Sequence, residues 1–131
     1  MIAPFTTCPR TILGIVGVLY IVLGVFCSLD PMKLGEAMGY SFKGNGKIEF
    51  VVIYGGLEIG FGLVMLIAVM NQVLFPGVYF MTTIVSLALP VARIWMLIPG
   101  QIEGKMTSFL MIELAILAAL SWPLLRKAMT Q

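Results

Sequence analysis

Residues 50–70 of the chain read FVVIYGGLEIGFGLVMLIAVM. The stretch contains a single charged residue, Glu58, among 21 positions. A helix of this length spans about 30 Å, which is the thickness of the hydrocarbon core of a bilayer. The core strands of a soluble fold are shorter and are bounded by turn signals. The stretch therefore predicts a transmembrane helix.

Three further apolar runs of similar length occupy residues 11–29, 78–99 and 109–125. The first run is too long for the apolar region of a signal peptide, so we expect it to remain in the protein as a membrane helix. Four sequential spans predict an all-α integral membrane four-helix bundle with up-down-up-down topology. The length of the chain predicts one transmembrane domain over residues 1–131.

The composition supports a membrane protein, because 60% of the residues are apolar and 11% are charged. Soluble domains carry about 25% charged residues. The net charge of +2 provides no basic patch, which argues against a nucleic-acid partner. The chain has no histidine, so histidine-ligated zinc or haem and Ser-His-Asp catalysis are excluded within this polypeptide. We expect no metal, no cofactor and the lipid bilayer as the principal partner.

Four spans place both termini and the turn at 71–77 on one side of the membrane, the terminal side. The loop at 30–49 and the turn at 100–108 lie on the other, the loop side. Lysine and arginine counts on the two sides, three against four, do not decide the orientation. The terminal-side charges lie close to their helices and have no acidic neighbours, which favours termini in the cytoplasm.

The loop at 30–49 contains Asp30 followed by Pro31, which is typical of an N-cap and the first position of a helix. A short helix to about Met38 is predicted, ended by Gly39. The favoured interpretation of this loop is an interfacial connector. The alternative interpretation is a lid over the mouth of the bundle.

Three ionisable residues fall within the predicted spans, namely Glu58, Arg93 and Glu113. Each costs at least about 2.5 kcal/mol at a helix centre, so each should face the bundle interior and find a partner. Counted along the helices, Arg93 and Glu113 lie roughly 7 and 6 Å to the loop side of the midplane, which predicts an ion pair. Glu58 lies roughly 3 Å to the same side, so we expect a Glu/Arg/Glu cluster.

Further polar and small residues are expected beside Glu58. Tyr54 shares its helix face one turn nearer the loops, and Tyr20 lies near the middle of the first span. Gly55 and Gly62 should clear space above and below the carboxylate. This pattern predicts a polar pocket that opens toward the loops. Two interpretations stay open: a satisfied structural network, or one uncompensated carboxylate that is neutral or binds a proton or cation.

A second glycine pair, Gly56 and Gly60, lies on the face of the second span away from Glu58. Small residues four apart allow two helices to approach closely, either within the bundle or between two copies in a homodimer. Packing within the bundle is the favoured interpretation.

The segment 54–62, YGGLEIGFG, resembles the glycine-rich second helix of a family of small bacterial four-helix membrane proteins of unknown function. Arg93 and Glu113 fit the layout of that family, although its members usually carry a basic residue where this chain has 51–53, VVI. The resemblance implies a multi-pass protein of a bacterial inner membrane. The family is distantly similar to DoxX-like membrane proteins, which often act beside redox enzymes, and this implies a membrane protein partner.

Three functional hypotheses follow. The first is a non-enzymatic accessory subunit, or a binder of a small apolar molecule in the loop-side pocket. The second is a proton- or cation-coupled small-molecule transporter that uses Glu58. The third is an isomerase with Glu58 or Glu113 as general base. The chain offers the third hypothesis no nucleophile, metal site or cofactor motif, so the favoured hypothesis is the first and we do not expect an enzyme.

Overall fold

The computed structural model describes residues 7–97 and 104–129. All regular secondary structure in these parts of the chain is helical, which confirms the all-α fold class. The helices are α1 (Thr7–Leu29), α2 (Pro31–Ala37), α3 (Gly46–Met70), α4 (Phe75–Leu97) and α5 (Gly104–Met129). All of them except α2 are long and apolar enough to cross a membrane.

The four long helices form an up-down-up-down membrane bundle, as predicted. α1 packs on α3, α3 on α4, α4 on α5, and α5 returns to α1. Large apolar side chains cover the outer surface; for example, Phe80 is 63% and Trp95 is 73% exposed. Soluble monomers rarely expose large continuous apolar patches, whereas a bilayer covers such a surface.

The turn between α3 and α4 is organised by Asn71. Its side-chain oxygen accepts hydrogen bonds from the backbone N–H groups of Val73 (2.9 Å) and Leu74 (3.3 Å). Its carbonyl oxygen accepts one from Phe75, at 3.0 Å. α4 begins at Phe75, three residues earlier than the predicted start at residue 78. The hydrogen bonds of Asn71 form a turn that leads straight into the helix.

Other boundaries also differ from the prediction. Within the described residues α1 runs from Thr7, four residues before the predicted start at Thr11, and it includes Pro9. α5 begins at Gly104 and continues to Met129, beyond the predicted span at both ends. The predicted end of the third span, at Pro99, lies outside the described residues.

The helix α2 forms as the sequence indicates. Asp30 caps it, and its side chain accepts a hydrogen bond of 3.2 Å from the backbone N–H of Lys33. Pro31 occupies the first helical position, where its fixed φ angle suits the helix. Gly39 follows the helix with φ +85°, a conformation that favours glycine.

The loop-side half of α3 contains a feature that the sequence does not predict. The helix begins at Gly46, and Val51–Leu57 forms a π-helix before regular α-helix resumes at Glu58. π-Helical segments are rare, and they occur frequently at functional sites. The irregular segment ends directly before Glu58, the one charged residue of the apolar stretch 50–70.

The apolar core fills the terminal-side half of the bundle. Its fully buried members are Leu13, Val16, Met65, Ala68, Phe75, Tyr79 and Leu120. The hydroxyl of Tyr79 donates a buried hydrogen bond of 2.7 Å to the carbonyl oxygen of Leu120, which ties α4 to α5. The terminal-side half is thus closed by packing, and the ionisable residues lie toward the loop side.

α1 and α3 meet backbone to backbone at four glycines, a contact that we call the glycine seam (Gly17 and Gly24 of α1; Gly55 and Gly62 of α3). A Cβ atom on Gly62 would lie 2.5 Å from the carbonyl oxygen of Gly17, and one on Gly24 would lie 2.7 Å from that of Gly55. Small residues permit such close approach in membranes. The expectation that Gly55 and Gly62 open space beside Glu58 is therefore wrong, because α1 occupies that space.

The other glycine pair, Gly56 and Gly60, faces outward. Both residues are exposed, and no described atom lies within 4 Å of a Cβ built on either of them. They line an apolar surface groove together with Ser28, Phe61 and Met81. The expectation that this pair packs within the bundle is wrong, because the rotation of α3 gives the interhelical contact to Gly55 and Gly62 instead.

We predict that Gly62→Ala destabilises the bundle, whereas Gly60→Ala does not. The new methyl group at position 62 meets the backbone of α1, and overpacking of this kind costs about 1–3 kcal/mol. At position 60 the methyl group meets open space, and replacing a helical glycine by alanine stabilises by about 0.5–1 kcal/mol. Thermal unfolding in detergent, followed by circular dichroism, measures both. Equal loss of stability in the two variants would contradict the seam.

Candidate functional site

Two helical stripes lead from the apolar core toward the loop side. On α3, Glu58 lies seven residues from Met65, and on α4, Ser86 lies seven residues from Tyr79. Met65 and Tyr79 belong to the same core cluster. Since α3 and α4 are antiparallel and regular over these turns, Glu58 and Ser86 reach the same level of the bundle on stripes that face its interior.

Arg93 of α4 and Glu113 of α5 form the predicted ion pair. The Nε atom of Arg93 donates to Oε2 of Glu113 at 2.9 Å, and Nη2 donates to Oε1 at 2.5 Å. This two-point geometry is the strong form of an arginine–carboxylate contact. The depth matching in the sequence is confirmed, and the two charges neutralise each other.

The ion pair lies in a partly enclosed position. The side chains of Arg93 and Glu113 are 27% and 14% exposed. The guanidinium also lies over the ring of Phe109, 5.8 Å from its centroid, in a cation–π arrangement. Glu113 and Phe109 are one turn apart on α5, so a single helix face holds the guanidinium by two kinds of contact.

Glu58 does not join this pair. Among the described residues Glu58 forms no ion pair with Arg93, and its buried Oε2 atom has no hydrogen-bond partner. The expected Glu/Arg/Glu cluster is therefore not observed. The register across the α3–α4 turn explains the difference, because it sets Arg93 level with Val52, about six residues or roughly 9 Å nearer the loops than Glu58.

Two residues of α1, Tyr20 and Cys27, lie within electrostatic range of the Glu58 carboxylate. Tyr20 lies near enough to Glu58 and Glu113 to interact electrostatically with both, and it packs against the core cluster. Cys27 is buried, carries a free thiol and also interacts with Glu58. Tyr20 is therefore within electrostatic range of both carboxylates, and its role in a site stays a prediction.

Tyr54 is turned toward the loop instead. Its hydroxyl shares a hydrogen bond of 2.7 Å with that of Tyr40, and it also lies within electrostatic range of Glu58 and Arg93. The ring of Tyr40 contacts those of Phe42, Phe50 and Tyr54, with centroids 6.4, 5.5 and 5.8 Å away. The loop therefore packs on the loop-side end of α3 through an aromatic cluster, which is consistent with both the connector and the lid interpretation.

Two hydroxyl groups of α4, on Thr82 and Ser86, are buried on the interior-facing stripe of that helix. Thr82 and Ser86 are 2% and 3% exposed, and neither side-chain oxygen has a hydrogen-bond partner among the described residues. The neighbouring Thr83 differs, because its hydroxyl donates to the carbonyl oxygen of Tyr79 at 2.9 Å. Leaving a buried hydroxyl unsatisfied costs about 1–3 kcal/mol, so two of them one turn apart require an explanation.

Pro90 removes one helical hydrogen bond of α4 near this level. It lies inside α4, where proline lacks the N–H that would bond to the carbonyl oxygen four residues earlier, which belongs to Ser86. The sequence carries this signal in the spacing of serine and proline. No sequence pattern predicts the contact between Tyr40 and α3. Tyr40 lies in a loop, and tertiary folding brings it to Tyr54.

Comparison with known proteins assigns no family: no family model, curated protein or solved structure matches the chain. Within the described residues, no group of three His, Cys, Asp or Glu side chains could hold a metal ion. The polar groups that the structure describes in the interior include the Arg93–Glu113 ion pair, the carboxylate of Glu58, the thiol of Cys27 and the hydroxyl groups of Thr82 and Ser86.

We predict that Glu113→Gln destabilises the protein by about 1–3 kcal/mol, because removing one partner of a partly buried ion pair leaves the other charge uncompensated. The exchanged pair Arg93→Glu with Glu113→Arg should recover part of this loss. Glu49→Gln is the matched control, since Glu49 is exposed and its substitution should change stability by less than about 0.5 kcal/mol. Thermal unfolding in detergent reports all three, and a Glu113→Gln variant as stable as Glu49→Gln would refute the assignment.

Proposed function

We propose that the protein is a proton- or cation-coupled small-molecule transporter in which Glu58 is the coupling site. The observation that carries this proposal is the division of charge in the interior. Glu113 is held by Arg93 at two points, whereas the buried oxygen of Glu58 has no partner among the described residues.

An interior carboxylate without a countercharge must acquire a proton or a cation to remain in low dielectric. An ionised carboxylate at a helix centre costs at least about 2.5 kcal/mol, and isolated interior ionisable groups mark ion and proton pathways. When the group becomes accessible to water, the charged form is again favoured and the ion is released. Binding and release at Glu58 can therefore follow the exposure of the site to either side of the membrane.

The packing of the bundle supports a movement of this kind. α1 and α3 are joined by the glycine seam, and α4 and α5 are joined by the Arg93–Glu113 pair and by the Tyr79–Leu120 hydrogen bond. The interface of α3 with α4 and the interface of α1 with α5, which join the two pairs, are each less extensive than the interface within either pair. Glu58 lies on one pair, so rocking of the pairs against each other would change its exposure.

A second candidate function is an accessory subunit or a binder of a small apolar molecule, which does not require Glu58. The outward-facing groove along Gly56 and Gly60 favours it, because exposed small residues on a membrane helix allow a partner helix or an acyl chain to approach closely. Gly56→Leu together with Gly60→Leu would fill the groove. Loss of a co-purifying protein or lipid in this variant, with coupled transport unchanged, would support the second candidate.

We also propose that the protein resides in a bacterial inner membrane with both termini in the cytoplasm. Cys8 of α1 is exposed and reports the terminal side, and Asn45, exposed in the loop, reports the other side. In cells carrying Cys27→Ser to remove the buried thiol, a membrane-impermeant maleimide should leave Cys8 unlabelled. In a cysteine-free background, the same reagent should label Asn45→Cys. Labelling of Cys8 with Asn45→Cys protected would reverse the orientation.

We predict that Glu58→Gln abolishes proton or cation movement driven by substrate. The full-length protein is reconstituted in proteoliposomes loaded with a pH- or cation-sensitive dye, and a panel of small molecules is added outside. The wild-type protein should give a substrate-dependent signal for at least one compound. The amide cannot ionise, so the signal should disappear in Glu58→Gln.

Two controls accompany this experiment. Glu49→Gln removes an exposed carboxylate on the loop side and should leave the signal unchanged. Thermal unfolding should show that the Glu58→Gln variant is folded. Glutamine has the same size as glutamate and places no charge in the interior. Substrate-driven ion movement that persists in Glu58→Gln would exclude Glu58 as the coupling site.

A further inference from the structure

We infer that Glu58, Thr82 and Ser86 form a binding site for a dehydrated alkali metal cation between α3 and α4. The inference rests on the proposed function and names the ion that couples to it. The site takes one carboxylate from α3 and two hydroxyl groups from α4, at the level where the bundle changes from its apolar to its polar half.

The unsatisfied oxygens of α4 are the first argument. The hydroxyl oxygens of Thr82 and Ser86 are buried and have no hydrogen-bond partner in the described parts of the chain, although each residue is almost completely enclosed. The adjacent Thr83 satisfies its hydroxyl on its own helix, so the unsatisfied state is specific to the face that carries Thr82 and Ser86. Buried polar atoms in native proteins are normally satisfied, and a bound ion satisfies them.

The backbone provides a second argument. Pro90 removes the helical donor to the carbonyl oxygen of Ser86, and the π-helix Val51–Leu57 ends directly before Glu58. Both irregular stretches lie at about the same level of the bundle. Interrupted membrane helices coordinate coupling cations in transporters through such carbonyl oxygens. The carbonyl oxygen of Ser86, which lacks its usual helical donor, is thus a candidate fourth oxygen ligand beside the hydroxyl of the same residue.

The chemistry of these ligands selects the class of ion. Carboxylate, hydroxyl and carbonyl oxygens are hard ligands that suit alkali and alkaline-earth cations and not soft transition metals. The site carries one negative charge, because Arg93 neutralises the carboxylate of Glu113. A monovalent cation balances that charge, whereas a divalent cation would leave a net positive charge in low dielectric.

The test uses the purified full-length protein in detergent with Na⁺ as the probe. Thermal unfolding is measured at increasing NaCl, with choline chloride holding the ionic strength constant, and binding of radioactive sodium is measured directly. Ligands that bind only the folded state raise the unfolding temperature with concentration. We expect such a rise with Na⁺ and none with choline.

The variants separate the ligands from their surroundings. Ser86→Ala and Thr82→Val each remove one hydroxyl and should weaken sodium binding by tenfold or more, and Glu58→Gln should abolish it. Thr83→Val is the matched control, because its hydroxyl is engaged with Tyr79 on the same helix and its loss should leave sodium affinity unchanged. Using two hydroxyl variants keeps the test decisive if one of them does not fold.

The outcomes distinguish this inference from the proposed function. Equal unfolding temperatures in Na⁺ and choline, with Glu58-dependent proton movement intact in proteoliposomes, would overturn the cation site and leave Glu58 as a proton site. Absence of both sodium binding and Glu58-dependent ion movement would overturn the two proposals together. Unchanged sodium affinity in Ser86→Ala and Thr82→Val would remove α4 from the site.

Discussion

The two-point contact between Arg93 and Glu113 determines the electrostatics of the bundle interior. A guanidinium in low dielectric must have a carboxylate partner, and α5 provides one at the depth where α4 carries the guanidinium. Because that carboxylate is Glu113, the interior retains one further acidic group, Glu58, on a different helix. The functional interpretation of the molecule depends on this allocation of charge, since a shared guanidinium would have made all three residues structural.

The sequence predicts the helices and the ion pair because both follow from one-dimensional information. Apolar length predicts a membrane span, and residue counts from the midplane place Arg93 and Glu113 at equal depth. Rotation about the helix axis is not contained in such counts. For this reason Gly55 and Gly62 pack against α1 while Gly56 and Gly60, one and two positions away, face outward. The π-helix and the contact of Tyr40 with Tyr54 likewise arise from tertiary packing.

The bundle can be divided in two ways, along the membrane normal and between two pairs of helices. Along the membrane normal, the apolar core around Met65 and Tyr79 closes the terminal-side half, and Glu58, Arg93 and Glu113 lie toward the loop side. Across the bundle, the glycine seam joins α1 to α3, and polar contacts join α4 to α5. Glu58 lies where the two divisions meet, next to the apolar closure and at the boundary between the helix pairs. A group at that position is buried in one arrangement of the pairs and accessible in another.

Several features that destabilise the fold lie near the level of Glu58. An interrupted hydrogen bond at Pro90, a π-helical segment at Val51–Leu57 and unsatisfied hydroxyls on α4 each lower the stability of the fold. Leucine or alanine at these positions would pack a purely structural bundle more stably. Counted along the helices, these features lie near the level of Glu58, which has no ion-pair partner among the described residues, and a bound cation would satisfy the carboxylate and the hydroxyls together. The destabilising groups are therefore explained most simply as ligands.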